Sequence, residues 1–101
     1  MKKIKLIVKT NSKKYPLIIG SNILKNSSEI IRSNKIKFQK CMIVVDRKIP
    51  KKKLLELKKN ISCKKKIIHL FNPNEKNKNL KSVNIILDKL FKDNFNRNDC
   101  I

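Results

Sequence analysis

Ile4, Leu6 and Val8 alternate with Lys3, Lys5 and Ile7, the period of two that marks a half-buried strand. Asn11 and Ser12 supply turn residues, and a second apolar run follows at residues 15–19, so the two runs are expected to pair as an antiparallel hairpin. Pro16 has no N–H to give to a ladder and places the second strand at an edge or start. Ser21 or Asn22 is the expected N-cap of a helix through about Arg32, with Ile23, Leu24, Ser27, Ile30 and Ile31 on one face. Residues 41–45 form an unbroken apolar run rich in β-branched side chains and ending at Asp46, which reads as a parallel strand buried on both faces. Pro50 suits the first turn of the next helix, where Leu54, Leu57 and Ile61 recur at helical spacing.

Residues 66–71 are a further short strand, and Asn72, Pro73 and Asn74 break the chain before the most regular stretch of all. Between residues 78 and 94, Leu80, Val83, Leu87, Leu90 and Phe91 lie on one stripe of a helix. Asn98 and Asp99 then turn the chain into the first residues of another strand at Cys100 and Ile101. This order predicts an α/β chain of three layers, with a mainly parallel sheet, an N-terminal β-hairpin and right-handed crossovers. Ligands of such sheets sit beyond the carboxyl ends of the strands, which singles out the loop opening at Asp46 and the loop at residues 72–78.

Length adds that 101 residues make one small domain. Charge adds more: 27 Lys and Arg against 7 Asp and Glu give a formal +20, enough to attract polyanions whatever the fold. Yet 24 Lys, 16 Ile and 13 Asn make up over half the chain, a bias that A- and T-rich codons alone would write. Only three Arg are present and the five aromatics do not cluster, so the recognition forks and stacking platforms of nucleic-acid binders are thin. Cys41, Cys63 and Cys100 form no Cys-x-x-Cys pair, which argues against zinc ribbons and disulfide frameworks and for a reduced, cytoplasmic setting. Charge breaks the N-terminal apolar stretch after three residues, so no export signal is expected, and no run reaches the length of a membrane-spanning helix. Gly20 alone cannot build a phosphate loop.

Candidate chemistry is sparse. Asp46 could accept hydrogen bonds from ribose hydroxyls or could simply form the turn that leaves its strand. Glu75 and Lys78, three apart, could line a nucleotide or serve as a helix-start acid and a solvated lysine. His69, the single histidine, lies inside an apolar strand and cannot by itself make the usual zinc site.

Four segments in order, Tyr15-Pro16-Leu17-Ile18-Ile19-Gly20-Ser21, Met42-Ile43-Val44-Val45-Asp46, Asn74-Glu75-Lys76-Asn77-Lys78-Asn79-Leu80 and Asn98-Asp99-Cys100-Ile101, resemble the N-terminal domain of 3-dehydroquinate synthase over nearly the whole chain. The resemblance implies a Rossmann-like NAD-binding domain of a cytosolic shikimate-pathway lyase. That enzyme turns a seven-carbon keto-sugar acid phosphate into 3-dehydroquinate and phosphate, using NAD and a divalent metal such as zinc or cobalt. It implies cofactor contacts at Asp46, Glu75 and Lys78, with Lys48 in place of an Asn and Asn74 in place of a Gly. It also implies that the helical, metal-binding C-terminal domain and the Gly-rich loop due after Ile101 are absent. On that reading residues 1–101 are a piece of a homodimeric enzyme, inactive alone, whose sheet keeps an unpaired edge. The alternative expectation is a small basic nucleic-acid-binding protein.

Overall fold

The computed structural model describes residues 3–74, 76 and 78–101. The two alternating runs become β1 (Ile4–Lys9) and β2 (Lys14–Ile19), joined through Thr10, whose hydroxyl donates to the Lys13 carbonyl. They are antiparallel, with Ile4 opposite Ile19, Leu6 opposite Leu17 and Val8 opposite Tyr15. Cross-strand partners share a face, so these six side chains make one apolar surface, and five of them are exposed. Pro16 faces Ile7 on a strand with no second neighbour among the described residues, as its missing donor requires. The hairpin was expected beside a mainly parallel sheet; it forms a two-stranded sheet of its own.

The first helix is shorter than its pattern suggested. Asn22 takes a left-handed φ of 60°, which no helix tolerates, and residues 21–26 run as turns. Helix α1 (Ser27–Ser33) starts only there, with the Ser27 hydroxyl bonded back to the Leu24 carbonyl at 2.9 Å.

Strand β3 (Lys40–Asp46) runs parallel to β4 (Lys65–Phe71), and helix α2 (Lys51–Asn60) crosses between them. Pro50 immediately precedes α2 in an extended conformation and does not enter its first turn. Ile61 closes the helix and is itself buried. After helix α3 (Leu80–Lys92), the chain returns to the other side of β3, where Met42 N–H donates to the Cys100 carbonyl (2.9 Å) and Cys100 N–H donates to the Lys40 carbonyl (3.0 Å). Strand β3 is therefore central, between β4 and the nascent strand at Cys100.

Alternation along β3 divides the core in two. Cys41, Ile43 and Val45 meet Leu54, Leu57, Ile61 and Ile68 on the α2 side. Met42, 0% exposed, lies on the opposite face with Ile67 and His69, where α3 sends Lys89 to His69. Helices on both faces follow from the direction of travel. The crossover to β4 goes one way and the crossover to Cys100 goes back, and a right-handed path needs the other face for the return.

Burial is uneven. The carboxyl half of β3 was expected to be covered on both sides, yet Val44 is exposed. The stripe of α3 was expected to be an inward face, but Leu80 and Phe91 are 73% and 74% exposed. The sheet meets instead the side of the helix that carries Lys89, roughly opposite Leu80 and Phe91. The accessible area of 8488 Å² exceeds the value of about 6,000 Å² usual for a compact protein of this mass. The radius of gyration, 15.1 Å, likewise exceeds the usual value of about 13 Å.

Candidate functional site

The parallel ladder ends with Asp46 opposite Phe71, and Arg47 N–H donates to the Phe71 carbonyl at 2.9 Å, so both strand ends finish level. Asp46 takes the turn-forming role that its position allowed. Its Oδ1 accepts from Lys48 N–H at 2.7 Å and its carbonyl from Ile49 N–H at 3.1 Å, which steers the chain through Pro50 into α2. Its other carboxylate oxygen has no hydrogen bond among the described residues and lies half-buried at the carboxyl end of β3. Arg47 and Lys48 beside it are exposed cations.

From Phe71 the second loop leads to Asn79, whose side-chain oxygen accepts from Ser82 N–H at 2.9 Å and starts α3 as an N-cap. Lys78 directly precedes that cap and lines an open cleft of about 510 Å³ with Phe71, Leu80, Val83 and Ile86. Asp46 and Lys78 thus both adjoin Phe71, at the end of the sheet where parallel folds bind ligands. Glu75 lies outside the described residues.

His69 is a packed histidine. It is 8% exposed, and its Nδ1 accepts from the Lys89 ammonium at 2.7 Å. Burial, with the positive charges of Lys89 and Arg47, holds its pKa below the ordinary value, so the imidazole is neutral. Among the described residues no three His, Cys, Asp or Glu side chains are arranged to hold a metal ion.

One junction escaped sequence reasoning. Lys40 ties three elements together: its N–H donates to Asp99 Oδ1 (3.0 Å) and its ammonium to the carbonyls of Asp93 (2.7 Å) and Asn94 (2.9 Å) at the end of α3. Its ammonium also stands 5.8 Å from the Phe95 ring centre. Asp99 accepts Asn96 N–H on its second oxygen, and these backbone donors hold its carboxyl below its usual pKa. A lysine at the negative end of a helix dipole is favourable, but the partners lie more than fifty residues apart in sequence, and no local pattern announces them. Only the Asn- and Asp-rich run at residues 93–99 hints at a structured turn, with Asn94 at φ 58°.

No family model matches the chain. A 3-dehydroquinate synthase from Pelagibacter ubique (strain HTCC1062) is 49% identical to it over 98 residues, which is 97% of this chain. The chain is a relative of 3-dehydroquinate synthase. The match leaves out at most three of the 101 residues, so it extends over the described elements from β1 to α3. The chain spans 27% of the length of that 3-dehydroquinate synthase. No helix among the described residues is long and apolar enough to cross a membrane.

Proposed function

We propose that the chain is the N-terminal, NAD-binding part of a 3-dehydroquinate synthase, with a Rossmann-like winding of its parallel strands. The observation that carries this reading is the 49% identity across 97% of the chain. The topology supports it, because the strand end bearing Asp46 lies beside the point where the crossovers reverse direction.

The residues suit the adenosine side of the cofactor. A half-buried carboxylate with one open oxygen accepts hydrogen bonds from vicinal hydroxyls, while Lys78 offers positive charge next to an apolar cleft. Glu75 belongs to the same motif. Neither loop contains a glycine that would let backbone N–H groups close on a pyrophosphate, so this part of the chain orients more than it grips. NAD supplies a reversible hydride acceptor when bound. The described residues do not form a metal site, and the zinc or cobalt of the whole enzyme would be held by other residues of the full-length protein. Conversion of the keto-sugar acid phosphate to 3-dehydroquinate and phosphate, the homodimer and the cytoplasmic setting belong to the full-length protein in this proposal.

The test is NAD titration of the full chain by calorimetry, beside the variants Asp46→Asn and Lys78→Ala. Loss of a hydrogen bond to a charged acceptor, about 1.5–3 kcal/mol, predicts that Asp46→Asn weakens NAD roughly tenfold to a hundredfold. Equal affinity in wild type and Asp46→Asn overturns the assignment.

One observation favours a second reading. The formal +20 is a net excess of 27 Lys and Arg over 7 Asp and Glu, which no pairing within the chain can reduce. A nucleic-acid-binding function predicts affinity for DNA or RNA that falls tenfold or more from low to physiological salt. Salt-insensitive or absent binding removes it.

A further inference from the structure

Three thiols converge on the α2 side of the sheet, and the site described above uses none of them. Cys41 belongs to the buried core, and Cys63 and Cys100 pack against the same cluster. All three are reduced. Cys41 and Cys100 are direct register partners on adjacent parallel strands, bracketed by the two backbone hydrogen bonds that join those strands. Neighbouring strands lie about 4.8 Å apart, within the roughly 4.4–6.8 Å between Cα atoms that a disulfide spans. Partners in register point to the same face, and both side chains pack in the same apolar cluster. Cys63 precedes β4, outside the ladder, and turns its thiol to the Lys65 carbonyl at 3.3 Å.

We propose that Cys41 and Cys100 form a redox-sensitive pair, in which a peroxide-class oxidant closes a disulfide that fastens the nascent strand at Cys100 onto β3. Accessibility sets the order of events. Cys41 is 3% exposed, and burial with its two thiol neighbours pushes its pKa up to about 12, so it is not the first nucleophile. Cys100 is half-buried and meets the oxidant. Its thiolate attacks one oxygen of hydrogen peroxide: an S–O bond forms, the O–O bond breaks and, with a proton, the first water leaves. The Cys41 sulfur then attacks the Cys100 sulfenic acid, giving up its proton. The S–S bond forms, the S–O bond breaks and the second water leaves. Two thiols lose two electrons and one peroxide gains them.

The experiment treats the full chain with hydrogen peroxide, blocks remaining thiols and maps disulfide-linked peptides without reduction, in buffer and in concentrated urea. In buffer the Cys41–Cys100 peptide is expected to exceed the other two pairings roughly tenfold. In urea the order should invert towards Cys41–Cys63, because loop closure favours the shortest of the three loops. Cys63→Ser should keep the native bridge and Cys100→Ser should abolish intramolecular bridging in buffer. The oxidised chain should melt higher by something on the order of 10 °C, since the bridge closes the longest loop. The same mixture of pairings in buffer and urea, a native bridge to Cys63, or oxidation confined to sulfinic acid at Cys100 each overturns the proposal.

Discussion

Met42, on the face of β3 opposite α2, is the largest fully buried side chain among the described residues, and its truncation tests the uneven burial of this chain. Removal of a buried methionine side chain costs about 3 kcal/mol, within the roughly 2–5 kcal/mol found for core truncations. The denaturant slope needed to convert that cost follows from area. An unfolded chain of 11.9 kDa exposes about 17,300 Å², so unfolding from 8488 Å² uncovers about 8,800 Å², some three quarters of what a compact domain of equal mass would uncover. Because the slope scales with the surface uncovered, it should fall near the bottom of the range for small domains, at ~1 kcal/mol per molar urea. Met42→Ala should then lower the urea midpoint by about 3 M, read by far-ultraviolet circular dichroism. Phe91→Ser, at an equally apolar but exposed position, should move stability by no more than about 0.5 kcal/mol. A wild-type slope equal to that of a compact domain of this mass, or a Phe91→Ser cost equal to that of Met42→Ala, would rule out this uneven burial.

Acid should erode stability in two stages. His69 binds its proton less readily folded than unfolded, so stability is full well above pH 6.5 and declines as pH falls below that value; His69→Gln should flatten this stage of a thermal-melting series. Asp99 has the opposite origin and the same direction: its folded pKa is depressed, so its contribution persists above pH 3.8 and disappears as pH falls further, and Asp99→Asn should remove this second stage. Lys40→Met keeps the stem and removes the ammonium from the end of α3. It should speed amide exchange at Met42 and Cys100 by roughly tenfold while leaving β1 and β2 unchanged, as read by hydrogen exchange.

Where local pattern and fold agree, the sequence was a good guide. The β-branched run at residues 41–45 marked a strand, although its burial stops short of Val44, and the period of α3 fixed its existence to within two residues at each end. The start of α1 was not legible, because one asparagine in a left-handed conformation overrides a helical spacing that continues through it. Periodicity also placed Leu80 and Phe91 on one stripe without telling what would cover it, since a period reports shared direction and not the partner. At the candidate site, Asp46 was open to two roles. The turn role is visible in its bond to Lys48, and the ribose role rests on the oxygen left over. The Lys40 junction depended on contacts too distant in sequence for any pattern to announce.

The isolated hairpin carries a hazard of its own. Six apolar side chains share one face, and neither strand has an outer partner among the described residues, which is the template on which amyloid-like stacking begins. Lys3, Lys5 and Lys9 along β1, with Lys14 and Pro16 in β2, are the gatekeepers that stand against it. The lysine excess is expected to keep copies of so open a chain apart by charge repulsion. Neutralising it with polyphosphate or strongly alkaline buffer would release that brake, and the first fibrils would be seeded from the N-terminal hairpin.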